Sequence, residues 1–287
     1  MAPRFGVRAS GETFSAPSRN VLETEMAQTR IQAVVFDMGG TLEDIYYDSA
    51  SHQEATRELQ RLLSQRGLEP GLDLGTLQRT VVSGMEAYQA WREATEIELS
   101  PERVWTEYVF PNRGLPRDCL EAAAEDLTFF YETHYQVRRL RAEAPDVLRA
   151  LRERGFRLGI ISNIISRTLV PRQLEAYGIA HLFGPVVTSA CFGWRKPNVR
   201  IFLEAARLLG LPPAACAYVG DTLSRDVIGA RRAGYGLAIQ IHSFLTDKAD
   251  RGKVEAAPDA VVRDLTEVIP LVLSRSETVD GDTGHIL

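Results

Sequence analysis

Short apolar runs alternate with amphipathic segments through the second half of the chain. "APDVLRALRERG" has apolar positions at helical spacing, with Pro145 near its start and Gly155 past its end. "FRLGIIS" (156–162) follows as a strand of the fully buried type. The pattern then predicts a helix over about 171–177 ending at Gly178, a strand at "PVVTS" (185–189), and a helix at "NVRIFLEAARLLG" (198–210) closed by Gly210. "CAYVG" (216–220), "SRDVIGARRAG" (224–234) and "GLAIQI" (236–241) continue as strand, helix and strand. With "AVVFD" (33–37) as the first, five strands are expected. Helices between successive apolar strands predict an α/β fold, a Rossmann-like parallel sheet with helices on both faces.

Residues 48–137 follow a different pattern. "SHQEATRELQRLLSQRG" is amphipathic from about Ser51 to Gly67, and "GTLQRTVVSGMEAYQAWREA", "SPERVWTEYVF" and "DCLEAAAEDLTFFYETHY" keep helical spacing with few strand signals. Ser100 and Pro101 mark a helix N-terminus. These residues are expected to form a helical insertion folded over the sheet's carboxyl edge, where ligands of open α/β sheets bind. The expected division is a disordered extension at 1–30, an α/β core at 31–47 and 138–273, the helical insertion at 48–137 and a flexible tail at 274–287. Met26 could equally be the start, since the first strand follows soon after it.

Composition narrows the class. The 287 residues are 45% apolar and 25% charged, with a net charge of −5. That is ordinary for a globular protein, without the basic footprint of a nucleic-acid binder. No apolar run approaches the roughly 20 residues that span a bilayer, and residues 1–30 lack the apolar stretch of a signal peptide. The three cysteines, Cys119, Cys191 and Cys216, lie far apart. They read as reduced thiols of a cytoplasmic protein, not as a disulfide frame or zinc site. Lysine occurs only at 196, 248 and 253, which makes a lysine inside a motif noteworthy.

Four motifs fall at strand ends or in the loops that follow. "FDMGGT" ends a strand in Asp37 and a glycine turn, which alone reads equally as a capped turn. "IISN" places Ser162 and Asn163 after a second strand, alone most often turn chemistry. "GWRKPN" puts Lys196 before a helix, where lysines are commonly solvated. "YVGDTLSRD" offers Asp221 and Asp226, a pair suited to a hard cation, although Asp226 could simply complement a helix dipole. A parallel sheet would bring all four to one edge. Together they supply an acidic nucleophile, hydroxyl and amide donors, a lysine and two further carboxylates. That set fits phosphoryl transfer, in which a cation offsets the repulsion between a carboxylate and a phosphate.

In this order the motifs resemble those of the haloacid dehalogenase-like hydrolases: "FDMGGTL" the first, "IISN" the second, "GWRKPNVRIF" the third and "VGDTLSRD" the fourth. The resemblance covers residues 31 to about 270. It implies that the helical insertion is a cap domain like that of phosphoglycolate phosphatase-like and dehalogenase-like members. It further implies that Asp37 is the nucleophile, forming an aspartyl-phosphate, and a Mg²⁺ ligand together with the backbone carbonyl of Gly39 and with Asp221. Asp226 would act through water or support Lys196. Ser162, with Asn163 nearby, would hold the phosphoryl group, Lys196 would neutralise it, and Thr41 would orient the loop and assist Asp37. The implied substrate is a small phosphorylated metabolite, and the chain a monomer or homodimer.

Gly39 departs from the pattern, because most phosphatases of this family carry an acid–base aspartate there. Such a group is typically worth about 10²–10⁴-fold. Glu43, Asp44 and Asp48 could substitute, though each reads more simply as a solvated charge on the loop. Three functions remain open: a hydrolase of phosphate esters or acyl phosphates with an altered proton donor, a non-hydrolytic module binding a phosphorylated ligand or partner, and a 2-haloacid dehalogenase. Asp221 and Asp226 argue against the last, which needs no metal. A phosphonatase needs a cap lysine, and residues 48–137 contain none. Tyr46, Tyr47, Trp91, Arg92 and Trp105 could line the cleft, but such side chains usually pack, so none is assigned to substrate.

Overall fold

The computed structural model describes residues 29–47, 49–111, 114–244, 246 and 257–276. The expected extension lies outside them as far as residue 28, and the expected tail from residue 277 on. The strands in chain order are β1 Ala33–Phe36, β2 Glu43–Tyr46, β3 Val137–Leu140, β4 Arg157–Ser162, β5 Val186–Thr188, β6 Cys216–Gly220, β7 Leu237–Ile241 and β8 Ala260–Val262. Six of them form one sheet in the order β5–β4–β1–β6–β7–β8, and every pairing in it is parallel. Five of these match the sequence expectation. The sixth, β8, is an edge strand of three residues with Val261 exposed, too short to show a period.

The helices are α1 Ser49–Gln65, α2 Leu74–Thr95, α3 Pro101–Arg103, α4 Arg117–Phe130, α5 Ala144–Glu153, α6 Leu169–Ala176, α7 Ser189–Phe192, α8 Val199–Leu209, α9 Ile228–Arg232 and α10 Val268–Ser274. Strand residues alternate between the two faces. Val34 and Phe36 pack with Val147 and Leu151 of α5, Leu174 of α6 and Val268 of α10. Ala33 and Val35 pack with Ile201 and Phe202 of α8 and Ala230 of α9. Helices therefore cover both faces, as a parallel sheet of mostly apolar strands requires. The chain moves from β1 outward through β4 to β5, then crosses back to β6 on the other side of β1. The loops after β4 and β6 thus diverge around the end of β1 and open a crevice there.

The insertion is helical as expected. Its helices α1 to α4 enclose a separate apolar cluster around Leu59, Leu77, Val81, Tyr88, Trp105 and Leu127, joined by Ile165 from the loop after β4. Asp73 caps α2 by accepting from the Thr76 N–H at 2.9 Å. The insertion leaves and re-enters the core through an antiparallel ribbon, with Glu43 opposite Leu140 and Tyr46 opposite Val137. No local pattern marks this ribbon, because four-residue strands rich in charge carry little apolar alternation.

Glutamates of the insertion dock it on the loop after β4. Glu132 accepts the N–H groups of Ile165 and Ser166, both at 2.9 Å. Glu125 accepts from the Ser166 hydroxyl at 2.7 Å and from the Thr168 N–H at 3.0 Å. Glu102 pairs with Arg167 at 2.6 Å. The loop leads into α6, so these carboxylates satisfy donors that the approach to the helix leaves free.

Burial pushes the Glu132 carboxyl up to about 7, against the opposing pull of the Ile165 N–H and Arg138. A carboxyl whose folded value is raised contributes stability below its unfolded value, and that contribution is lost as pH rises through the folded value. The melting temperature of the native chain should therefore fall between about pH 5 and pH 8 more steeply than that of Glu132→Gln. Parallel profiles in a differential scanning series would contradict this assignment.

Candidate active site

The buried ammonium of Lys196 is the centre of the site. It donates to Asp226 Oδ1 at 2.6 Å and to the Ile161 carbonyl at 3.3 Å, and lies 2.8 Å from Asp37 Oδ1. The Tyr218 hydroxyl sits 2.9 Å from Nζ and donates to the same Asp226 oxygen at 2.9 Å. Asp226 Oδ2 accepts from the N–H and hydroxyl of Thr222 at 3.0 and 2.6 Å. Both oxygens of Asp226 thus carry two donors each, and its acceptor capacity is full.

Asp37 follows β1 and keeps Oδ1 against the Met38 N–H at 2.7 Å. Asp221 follows β6, where its Oδ2 accepts from the Ser243 hydroxyl at 2.6 Å. Its Oδ1 is buried with no partner among the described residues. Asp37, Asp221 and Asp226 each offer an oxygen within 4.8 Å of the others. An orphaned, buried carboxylate oxygen beside two more acids fits a hard divalent cation.

The electrostatics fit as well. Burial raises the Asp37 carboxyl, and the charge of Lys196 only partly opposes this. Burial and the charges of Asp226 and Asp37 push Asp221 up to about 7. For Asp226, burial is outweighed by Lys196, Arg225 and Thr222, so its carboxyl is lowered. Asp226 is the ionised partner of Lys196, while Asp37 and Asp221 are the acids that an added cation would relieve.

Two glycines admit this crowding. A Cβ on Gly40 would lie 2.2 Å from Asp221 Oδ2, and one on Gly220 would lie 2.4 Å from Asp226 Cβ. Gly40 also has φ +87°, in the left-handed region. Gly39 has no positive φ, and its Cβ would meet the ends of two side chains, Ile45 Cδ1 at 2.6 Å and an Arg138 terminal nitrogen at 3.2 Å. The place of an acid at residue 39 is therefore bordered by a methyl group and a guanidinium.

The other expected residues lie in the same region. Ser162 ends β4, buried. Thr41 is buried, and its hydroxyl has no partner among the described residues. Asn163 holds the lysine loop: its Oδ1 accepts the Lys196 N–H at 2.8 Å and its Nδ2 donates to the Lys196 carbonyl at 3.0 Å. Among the substitutes for the missing acid, Glu43 is not the solvated charge that its loop position suggested. It is wholly buried, 2.8 Å from an Arg138 nitrogen, and accepts from the Tyr177 hydroxyl at 2.9 Å. Asp44 is exposed beside Arg141, and Asp48 lies outside the described residues. Trp105 packs inside the insertion and donates to the Thr128 hydroxyl at 2.8 Å.

Sequence reasoning missed Tyr218, Thr222, Ser243 and Arg138. Tyr218 sits in an apolar strand and reads as core. Thr222 lies inside the fourth motif, beside Asp221, and was the one that could have been found.

These features accompany a plain family relationship. The model of the haloacid dehalogenase-like hydrolases matches residues 31–234. This chain belongs to that family and is a hydrolase. It is 34% identical over 207 residues to a glyceraldehyde 3-phosphate phosphatase of Methanopyrus kandleri, covering 71% of this chain and 81% of the relative. It is 27% identical over 254 residues to a phosphoglycolate phosphatase of Vibrio vulnificus, covering 86% of this chain and 99% of the relative. A crystal structure of a 2-haloacid dehalogenase from Pseudomonas syringae matches with a TM-score of 0.58 at 22% identity, covering 86% of this chain and all (100%) of that one. That last likeness speaks to the fold alone. Among the described residues no helix is long and apolar enough to cross a membrane.

The glycine pair gives a direct test. Gly40→Ala should destabilise by about 1–3 kcal/mol from backbone conformation alone, with the Asp221 clash added, whereas Gly39→Ala need only displace the end of Ile45. Thermal unfolding should show a much larger drop in melting temperature for Gly40→Ala. A reversed order would mean that the turn is placed otherwise.

Proposed function

We propose that this chain is a Mg²⁺-dependent phosphatase that cleaves a small phosphorylated metabolite through an aspartyl-phosphate on Asp37. The observation that carries this reading is Lys196 held between Asp37 and Asp226, with the unpartnered Oδ1 of Asp221 alongside. Asp37, Asp221 and the Gly39 carbonyl would hold the ion, while Asp226, its oxygens already filled, positions Lys196 and reaches the ion only through water. Bound Mg²⁺ would neutralise part of the charge between nucleophile and phosphoryl group.

The chain's own residues do the rest. Lys196 and the Met38 N–H grip Oδ1 of Asp37, which leaves Oδ2 as the attacking atom. A bond forms from Oδ2 to phosphorus as the bond to the leaving oxygen breaks, and that oxygen takes a proton from solvent water, since Gly39 offers none. Water then attacks the same phosphorus, the bond to Oδ2 breaks, and phosphate leaves with the Asp37 carboxylate restored. Ser162, Lys196 and the loop around Thr41 stabilise the phosphoryl oxygens as charge redistributes. The helical insertion, docked on the loops after β4 and β5, acts as the cap that excludes water. The two relatives named above as phosphatases support this reading. The presence of both Asp221 and Asp226 supports it over haloacid dehalogenation.

The decisive assay uses a panel of alkyl, aryl and acyl phosphates with Mg²⁺ or EDTA, with Asp37→Asn in parallel. Turnover should require Mg²⁺ and vanish in Asp37→Asn. No turnover of any compound, with Mg²⁺-dependent phosphate binding intact, would instead identify a binding module. Chloride release from a 2-haloacid in EDTA would identify a dehalogenase.

Gly39 makes a second prediction. An aspartate there should meet Ile45 and be drawn to Arg138, so Gly39→Asp alone should accelerate alkyl phosphates by well under the roughly 10²–10⁴-fold of a working general acid. Adding Ile45→Val removes the obstructing Cδ1 and should raise the alkyl-to-aryl rate ratio further. An unchanged ratio in the double variant would mean that another group already protonates the leaving oxygen.

A further inference from the structure

One carboxylate beside the site balances two guanidiniums. Glu98, on the segment after α2, is buried. Its Oε1 accepts from the Tyr88 hydroxyl and, at a long 3.5 Å, from an Arg92 terminal nitrogen. Its Oε2 accepts from the Ser189 hydroxyl at 2.7 Å and from Arg195 at 3.0 Å. With two donors on each oxygen, Glu98 has little left to give.

Arg92 is poorly served. Its Nε is buried with no partner among the described residues, and its guanidinium lies 5.2 Å above the Tyr88 ring. Arg195 is almost wholly buried. Burial and the like charge of Arg92 push its guanidinium down to about 9, against the pull of Glu98. Arg225, half-buried, lies beside them with its charge faced by Asp221, Asp226 and Asp37; its Nε reaches the Thr222 hydroxyl at 3.4 Å. Two guanidiniums thus share one carboxylate whose oxygens are already filled, and the Arg92 Nε–H is left without an acceptor among the described residues.

The cluster adjoins the phosphoryl site. Arg195 precedes Lys196 in the chain, and the Ser189 Oγ accepts the N–H of Ile164, two residues beyond Ser162, at 2.9 Å. We propose that Arg92 and Arg195, with Arg225 beside them, form a subsite for a carboxylate carried on the leaving group, so that the substrate is a phosphorylated hydroxy acid. A guanidinium presents paired N–H donors in a plane, which a carboxylate matches with two oxygens. Arg92 brings an unused Nε–H to that role. The insertion thereby selects substrate through the side chain it holds next to Glu98.

This proposal rests on the phosphatase reading for its substrate class, so the test uses ligands that cannot turn over. Isothermal titration with Mg²⁺ compares 3-phosphonopropionate with propylphosphonate, which lacks the carboxylate. The native chain should bind the former at least tenfold more tightly. Arg92→Gln should bring the ratio to about one, and Arg92→Lys, which keeps the charge but not the planar donors, should fall between. Circular dichroism melts check that the variants fold. A ratio near one in the native chain, or an undiminished ratio in folded Arg92→Gln, overturns the subsite. Tighter binding of a bisphosphonate than of the carboxylate ligand overturns its chemistry. A tenfold ratio in a chain that hydrolyses no ester would retain the subsite and reject the phosphatase.

Discussion

A single buried ammonium organises this molecule. Among the described residues Lys196 is the one cation in direct contact with both Asp37 and Asp226, which follow different strands. Two carboxylates this close would repel strongly in a low-dielectric interior, and the pair is tolerable only with a positive charge between them. Much of the surrounding structure serves to keep that charge in place. Asn163 brackets the backbone of Lys196, Tyr218 and Thr222 saturate Asp226, and Gly220 lets Asp226 approach the end of β6. The parallel sheet contributes by turning its connections around β1, so that motifs far apart in sequence end at one crevice.

The same loop carries the attachment of the insertion. Glu98 reaches Arg195, one residue before the lysine, and the backbones meet where the Glu98 N–H donates to the Gly193 carbonyl at 3.0 Å. Glu125 and Glu132 occupy the N–H groups of the loop after β4. Carboxylates of the insertion therefore set the loops that carry Lys196 and follow Ser162. Any shift of the insertion would have to leave buried charges and amides without partners, at a cost of about 1–3 kcal/mol for each buried group. The coupling between the helical layer and the chemistry is built from polar contacts, with Ile165 as the apolar link.

Much of this was legible in the sequence, and what escaped shares one cause. The apolar strands, the helix ends at Gly155, Gly178 and Gly210, and the four motifs all depend on local order, so pattern alone revealed them. The ribbon of β2 and β3 depends on pairing residues nearly a hundred positions apart, and its short charged strands have no local signature. Tyr218 looked like core because its ring is core; only its hydroxyl enters the site. Glu43 looked solvated because its partners, Arg138 and Tyr177, are 95 and 134 residues away. Asn163 was placed in the right region, but the structure shows its amide committed to the backbone of Lys196, a contact that no sequence spacing conveys.

Gly39 illustrates the difference between a missing group and a remodelled one. From sequence it is an absence. In the structure the space beside it is bounded by Ile45 and by Arg138, which is itself anchored by Glu43 and by the Glu132 carbonyl at 2.8 Å. Restoring an acid would place a carboxylate against a guanidinium already matched to a buried partner. The Glu43–Arg138 pair would then compete for it, and breaking such a pair exposes an uncompensated buried charge. The glycine is thus coupled to the ribbon that carries the insertion. A chain with this ribbon has reason to keep residue 39 small whichever leaving group it handles.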